Sequence, residues 1–245
     1  MSRWVSLHCI SNQLLLMVMI QHKLNHVRLE KTSEMKPLCR CENRDIIRLL
    51  NLYCEESAME YFDIRTPEGK ITGQIKERSQ VHRDGDIHGT SHTWLFRKNA
   101  RGEWEVLLQK RSADKDSFPG CYDISSAGHI PAGEDYLPSA LRELKEELGI
   151  TAAPEDMHYV GMHDAKIHTE FYGKPWNNHE LSAVYVLFCD MEADQMKIQK
   201  EEIEEVRWIS FSECLERMKD GTLNHCIFED EMEMLAGFLD RLTDD

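Results

Sequence analysis

Residues 128 to 150 read GHIPAGEDYLPSALRELKEELGI, and this stretch decides the fold. Pro138 suits a helix start, where its missing N–H costs nothing. Gly149 suits the position just past the end, where the backbone turns left-handed. Between them Leu137, Leu141, Leu144 and Leu148 recur at three- and four-residue steps, so they share a face expected to be buried. Glu143, Glu146 and Glu147 fall on another face, with Glu143 and Glu147 one turn apart. Like charges at that spacing repel by about 0.2–0.5 kcal/mol per pair. A divalent cation removes that repulsion, and carboxylate oxygens are the ligands Mg²⁺ and Mn²⁺ prefer. Taken alone, the same residues also read as a solvated acidic face softened by Arg142 and Lys145.

Outward from the helix, the pattern is mostly strands. Residues 61–65 and 71–76 read as two strands around a Pro67-Glu68-Gly69-Lys70 turn. Thr93–Phe96 and Glu105–Gln109 read as two more, joined by a polar turn at 98–102. LSAVYVLFC, residues 181–189, is the clearest strand, and 205–209 a shorter one. Helices are expected near 211–219 and 226–241. Together these make a mixed α/β domain from residue 59 onward. Residues 1–58 read as a partly helical extension, with Ile46, Ile47, Leu49, Leu50 and Tyr53 on one stripe.

The chain has 245 residues, 29 Lys plus Arg against 44 Asp plus Glu, and a formal charge of −15. That balance argues against a broad nucleic-acid-coating surface, which needs positive charge. No apolar run approaches the roughly 18–20 residues of a membrane helix. The early run LLLMVMI, residues 14–20, lacks a following small-x-small cleavage site, so it is expected to be a packed segment or an irregular extension. The eight cysteines show no disulfide or zinc-finger spacing and read as free thiols in a reducing cytoplasm.

The segment 128–150 resembles the Nudix box, G-x5-E-x7-R-E-U-x-E-E-x-G-U, where U is a bulky apolar residue. Gly128 is followed by five residues and Glu134; seven more precede Arg142, Glu143, Leu144, Lys145, Glu146, Glu147, Leu148, Gly149 and Ile150, so every fixed position is filled. The resemblance implies a Nudix-type α-β-α sandwich with a mixed β-sheet and a small-molecule diphosphate substrate held through Mg²⁺ or Mn²⁺. It makes Glu143, Glu146 and Glu147 metal ligands, with Gly128 adding its carbonyl, Glu134 supporting the loop or metal shell, and Arg142 orienting a box carboxylate.

Three weaker stretches resemble the Nudix-related isopentenyl-diphosphate isomerases: FPGCYDISSAGHI (118–130), IHGTSHTWLF (87–96) and NHELSAVYVLF (178–188). By position His88, His129 and Glu180 match metal-binding residues of that family, and His82 lies one residue off the spacing of another. Ala127 stands where those isomerases carry their catalytic cysteine, and alanine can neither give nor take a proton. Asn178 stands where they often have another metal-binding glutamate.

The expected activity is therefore hydrolysis of a diphosphate linkage, in a nucleoside diphosphate derivative or related molecule, with Glu146 or Glu180 deprotonating the attacking water. An isopentenyl-diphosphate isomerase is the alternative, and a non-catalytic nucleotide- or metal-binding module a third. Lys110 and Arg111, at a strand end, are candidate phosphate contacts. Lys76, Arg78, His82 and Arg83 form a basic patch that either faces the substrate or is a solvated loop. Trp176 and Tyr172 are expected in a loop where a base or isoprenoid stacks, or simply packs. Beyond the substrate, the partner expected is at most a second copy in a homodimer, with neither membrane nor nucleic acid.

Overall fold

The computed structural model describes residues 59–242 except 116 and 172, and of 174 and 175 only the backbone. The expected stripe at 46–53, Tyr172, and Cys9, Cys39, Cys41 and Cys54 lie outside the described residues.

The elements follow in the order β1 (Tyr61–Arg65), β2 (Ile71–Glu77), α1 (Arg78–Asp84), β3 (Ile87–Lys98), β4 (Trp104–Arg111), β5 (Tyr122–Asp123), β6 (Ser126–His129), α2 (Tyr136–Leu148), β7 (His158–Phe171), β8 (Lys174–Phe188), β9 (Ile203–Ser210), α3 (Phe211–Lys219) and α4 (Glu229–Arg241). β1 and β2 form an antiparallel hairpin. The other seven strands make one mixed sheet, in which β3 and β8 run parallel and the remaining pairs antiparallel. β8 occupies one edge of β3 along Ile87–Phe96. The other edge is shared, by β6 at Thr90–Thr93 and by β4 at Phe96–Lys98.

The two-residue alternation of strands sorts the side chains into two layers. Trp94 and Phe96 of β3, Val106 and Leu108 of β4, and Val184 and Val186 of β8 pack beneath α3 and α4. Their intervening neighbours Leu95, Leu107, Ala183, Tyr185 and Leu187 pack beneath α2, against Ala140, Leu144 and Leu148. The result is an α-β-α sandwich on a mixed sheet. None of the described helices is long and apolar enough to cross a membrane, and the four described cysteines are free thiols.

Three local expectations are corrected. The basic segment after β2 is not a loop but helix α1, capped by the Glu77 carboxylate, which accepts from Ser79 N at 3.0 Å, and closed by left-handed Gly85. Trp176 lies not in a loop but on β8, which begins at Lys174 and pairs with a β7 that alternation did not reveal. The box helix begins before Pro138, at Tyr136, with Asp135 as its cap.

Gly149 ends α2 at φ 69°, and a Cβ there would meet Lys197 Cβ at 2.7 Å. Gly149→Ala is expected to destabilise the fold by about 1–2 kcal/mol, the cost of a left-handed L-residue. Urea melts of the two proteins measure this; an unchanged midpoint contradicts it.

Candidate active site

Helical periodicity places Glu147 at the edge of the buried face, beside Ala140 and one turn after Leu144, so the carboxylate is carried inward and is 6% exposed. Its Oε2 accepts a hydrogen bond from Ala127 N at 3.1 Å. Burial pushes its pKa up to about 8. Glu143 is half-buried; burial raises its pKa too, against the pull of Arg142. A solvated acidic face does not describe these two residues. Glu146, one turn nearer the solvent, is exposed.

Among the described residues, Arg142 is the cation shared by Glu134, Glu143 and Glu146. Its Nη1 lies 2.8 Å from Glu143 Oε1 and 3.2 Å from Glu146 Oε2, and its Nε 3.8 Å from Glu134 Oε2. Glu134 also accepts from Ser139 Oγ at 3.1 Å and does not reach the cavity wall. Gly128 is required because a Cβ there would overlap the Glu143 carboxylate. The hairpin steadies the loop that follows: Ala132 N donates to Tyr61 O at 2.8 Å and Gly133 N to the Asp63 carboxylate at 2.7 Å.

A second group lies beside the first. His82 of α1, His88 of β3, His129 of β6 and Glu180 of β8 each offer a ligand atom, all within 4.8 Å of one another. His88 Nδ1 donates to the Asp86 carbonyl at 3.0 Å, which leaves Nε2 facing the cluster, 3.9 Å from Glu180 Oε1. His129 Nε2 is 3.6 Å from the same oxygen. The Nε2 atoms of His82, His88 and His129 are buried and have no hydrogen-bond partner. Burial lowers all three imidazoles, His82 to about 3, so they are neutral at pH 7, the form that binds cations. Phe62 stacks on His88 and His129, with centroids at 5.3 and 4.6 Å, and fixes both rings. Asn178 Nδ2 donates to Glu180 Oε1 at 2.7 Å.

Both groups open onto a cavity of about 320 Å³, through Glu143, Glu146 and Glu147 on one side and His129 and Glu180 on the other. Arg78 and Arg111 reach its wall; Arg111 is held by Asp123 at 2.8 Å and Arg78 by Glu60 at 2.5 Å. Lys76 and Lys110 do not, because Lys76 pairs with Asp84 and Asp86 and Lys110 with Glu204. Trp176 lines the cavity and meets Phe118 and Phe171, at 6.1 and 5.4 Å, in an aromatic rim. Lys115, Phe118, His92 and Glu231 were not singled out as site residues from the sequence. Lys115 sits in a loop without pattern, Phe118 opens the 118–130 stretch without a role assigned to it, and Glu231 lies inside an acidic run that reads as surface.

A protein-family model for the NUDIX domain matches residues 90–227. Nudix hydrolase 3 of Arabidopsis thaliana is 41% identical over 158 residues, which are 64% of this chain and 20% of that protein. An uncharacterised Nudix hydrolase of Clostridium acetobutylicum is 34% identical over 144 residues, 59% of this chain and 66% of that one. The chain thus spans a fifth of the length of the first relative and just under two thirds of the second. A crystal structure of a Deinococcus radiodurans protein superposes with a TM-score of 0.51 at 21% identity, over 72% of this chain and 98% of that one, a likeness of fold. The chain belongs to the Nudix family.

Glu147 makes stability depend on pH in a defined direction. Its pKa is raised on folding, so its contribution is full below the ordinary carboxylate value of 4.5 and is lost as pH rises through about 8. Glutamine does not titrate and can still accept from Ala127 N. In metal-free buffer the melting temperature of Glu147→Gln is expected to exceed that of the parent by several degrees at pH 9, with the gap closing toward pH 5. A gap that is constant or opens the other way contradicts the buried carboxylate.

Proposed function

We propose that the protein hydrolyses a diphosphate linkage in a nucleoside diphosphate derivative or related small molecule, with Mg²⁺ or Mn²⁺ as cofactor. The observation that carries this reading is a set of box carboxylates, two of them withdrawn from water, facing a cavity with a single arginine among them. The donors fit a hard divalent cation: oxygens from Glu143, Glu146 and Glu147, with the Gly128 carbonyl beside them. The orphaned imidazole nitrogens of His82, His88 and His129, with Glu180, fit a second, nitrogen-accepting ion such as Mn²⁺. Metal ions supply charge neutralisation of the diphosphate and polarisation of its phosphorus–oxygen bonds.

The chain's own residues do the rest. Arg142 spaces the box carboxylates so that they stay together when unscreened. Arg78 and Arg111 bring positive charge to the wall where phosphate oxygens sit. Glu180 or Glu146 takes the proton from the attacking water. Phe118, Phe171 and Trp176 offer an apolar edge to the group carried by the diphosphate. The imidazole cluster favours kinship with the isopentenyl-diphosphate isomerase branch, but Ala127 removes the proton-transfer group at the position where those isomerases carry cysteine. Hydrolysis needs no such cysteine.

The test is a panel of nucleoside diphosphate sugars, dinucleotides, oxidised nucleotides and prenyl diphosphates, with and without Mg²⁺ or Mn²⁺. Metal-dependent release of a monophosphate is expected, and Glu146→Gln is expected to lower it by at least about 100-fold while the protein stays folded. Full activity in that variant removes the role given to Glu146, and conversion of isopentenyl diphosphate to an isomer without hydrolysis overturns the reading. Gly128→Ala is expected to displace Glu143 and lower turnover by about 100-fold with little change in melting temperature. Parental turnover in that variant contradicts the packing argument.

A further inference from the structure

Glu231 is 0% exposed, yet it sits on α4 directly beside Met232, in the face that packs on the sheet. A carboxylate in that place is strongly disfavoured unless partners surround it. Three do. Trp94 Nε1 donates to its Oε1 at 2.7 Å, His92 Nδ1 lies 3.0 Å from both oxygens, and His163 Nδ1 is 3.3 Å from Oε2. Asp230 holds the other nitrogen of His163 at 3.0 Å. A clamp between helix and sheet needs no more than this. His92, however, also forms part of the cavity wall. Its β3 position pairs with Ala127 of β6, and the residue before it pairs with Gly128, the first residue of the box. With Nδ1 committed to Glu231, Nε2 is the ring nitrogen left for the cavity.

We propose that His92 is a catalytic residue that donates a proton to the departing phosphate, and that Glu231, Trp94 and His163 are positioning residues acting through it. This rests on the hydrolase reading above. As the water oxygen bonds to one phosphorus, the bond from that phosphorus to the bridging oxygen breaks. The electron pair passes to the bridging oxygen, which takes the His92 proton, while the proton of the water goes to Glu180 or Glu146. Both groups return to their starting states by exchange with water in the open cavity. His92 thus places a proton-transfer group opposite Ala127, where the sequence has none.

The charged groups around His92 favour its protonated form. Burial opposes charge on the ring, but Glu231 outweighs it, and Glu180 on β8 and Asp123 on β5 add to the pull, so its pKa is raised. His163 on β7 faces the ring as well, since ligand atoms of His92, His163 and Glu231 all lie within 4.8 Å of one another, and Asp230 on α4 pairs with His163. The acid form therefore persists above the ordinary histidine range and is lost as pH rises further.

The experiment compares the parent with His92→Gln, Glu231→Gln and Glu231→Asp, using the best diphosphate from the panel. His92→Gln is expected to lower kcat by about 100-fold or more with KM within threefold, and to abolish the alkaline descent of the pH profile. Glu231→Gln is expected to shift that descent to lower pH, and Glu231→Asp to restore part of it. Parental kcat and profile in His92→Gln overturn the proposal. So does a Glu231→Gln variant whose descent stays in place while only its melting temperature falls, since that is a clamp. A separate arm follows the His92 ring ¹⁵N signals as methylenediphosphonate is added with Mg²⁺. Shifted signals support contact with phosphate, and unshifted ones overturn it. If the parent turns over no diphosphate, the hydrolase reading fails and this arm still decides whether His92 meets phosphate.

Discussion

The packing of α2 on the sheet is the constraint on which the site depends. Leu144 and Leu148 must be buried against Leu95, Leu107 and Ala183, and burying each leucine is worth about 1.5–3 kcal/mol. A helix that buries Leu144 together with Ala140 also carries Glu147, which flanks them on the same side, most of the way in. Hydrophobic burial therefore offsets the cost of holding a carboxylate away from water. Gly128 and Gly149 serve the same packing from opposite ends. The first leaves room for Glu143, and the second lets the chain turn away beside Lys197.

From that constraint the electrostatics of the cavity follow. Glu147 is buried and Glu143 half-buried, and Glu134, Glu143 and Glu146 share Arg142, so this is a place where added positive charge is favoured. The imidazole cluster uses the opposite device. Phe62 and the surrounding elements strip water from three histidines, which stay neutral and keep their lone pairs available. One wall is rich in carboxylate and the other in unprotonated nitrogen, which is the basis of the diphosphate and cation reading proposed above.

How much of this was legible in the sequence depended on the range of the interactions. The box helix, its leucine face and the strong strand at 181–189 are set by residues within a turn or two of each other, and periodicity reveals them. Helix α1 is short and polar, and its end is fixed by Gly85, so it resembled a loop. β7 exposes most of its side chains, so it lacks the apolar alternation that marks a strand. The family resemblance named His88, His129 and Glu180, which the fold brings together with His82; His82 looked misplaced by one residue because it lies in helix α1, where linear spacing does not measure its reach. Lys76 and Lys110 were drawn away by acidic partners, two of them eight or ten residues distant and the third 94. The pairing of His92 with Glu231 spans 139 residues and has no local trace.

The central claim is that the α2 carboxylates exist to hold a divalent cation. Direct counting of bound Mn²⁺ by electron paramagnetic resonance, without substrate, tests it in the parent and in a Glu143→Gln, Glu147→Gln double variant. The account predicts that the double variant, still folded, loses one bound ion and keeps any ion held by the histidine cluster. Identical binding curves for the two proteins would contradict it.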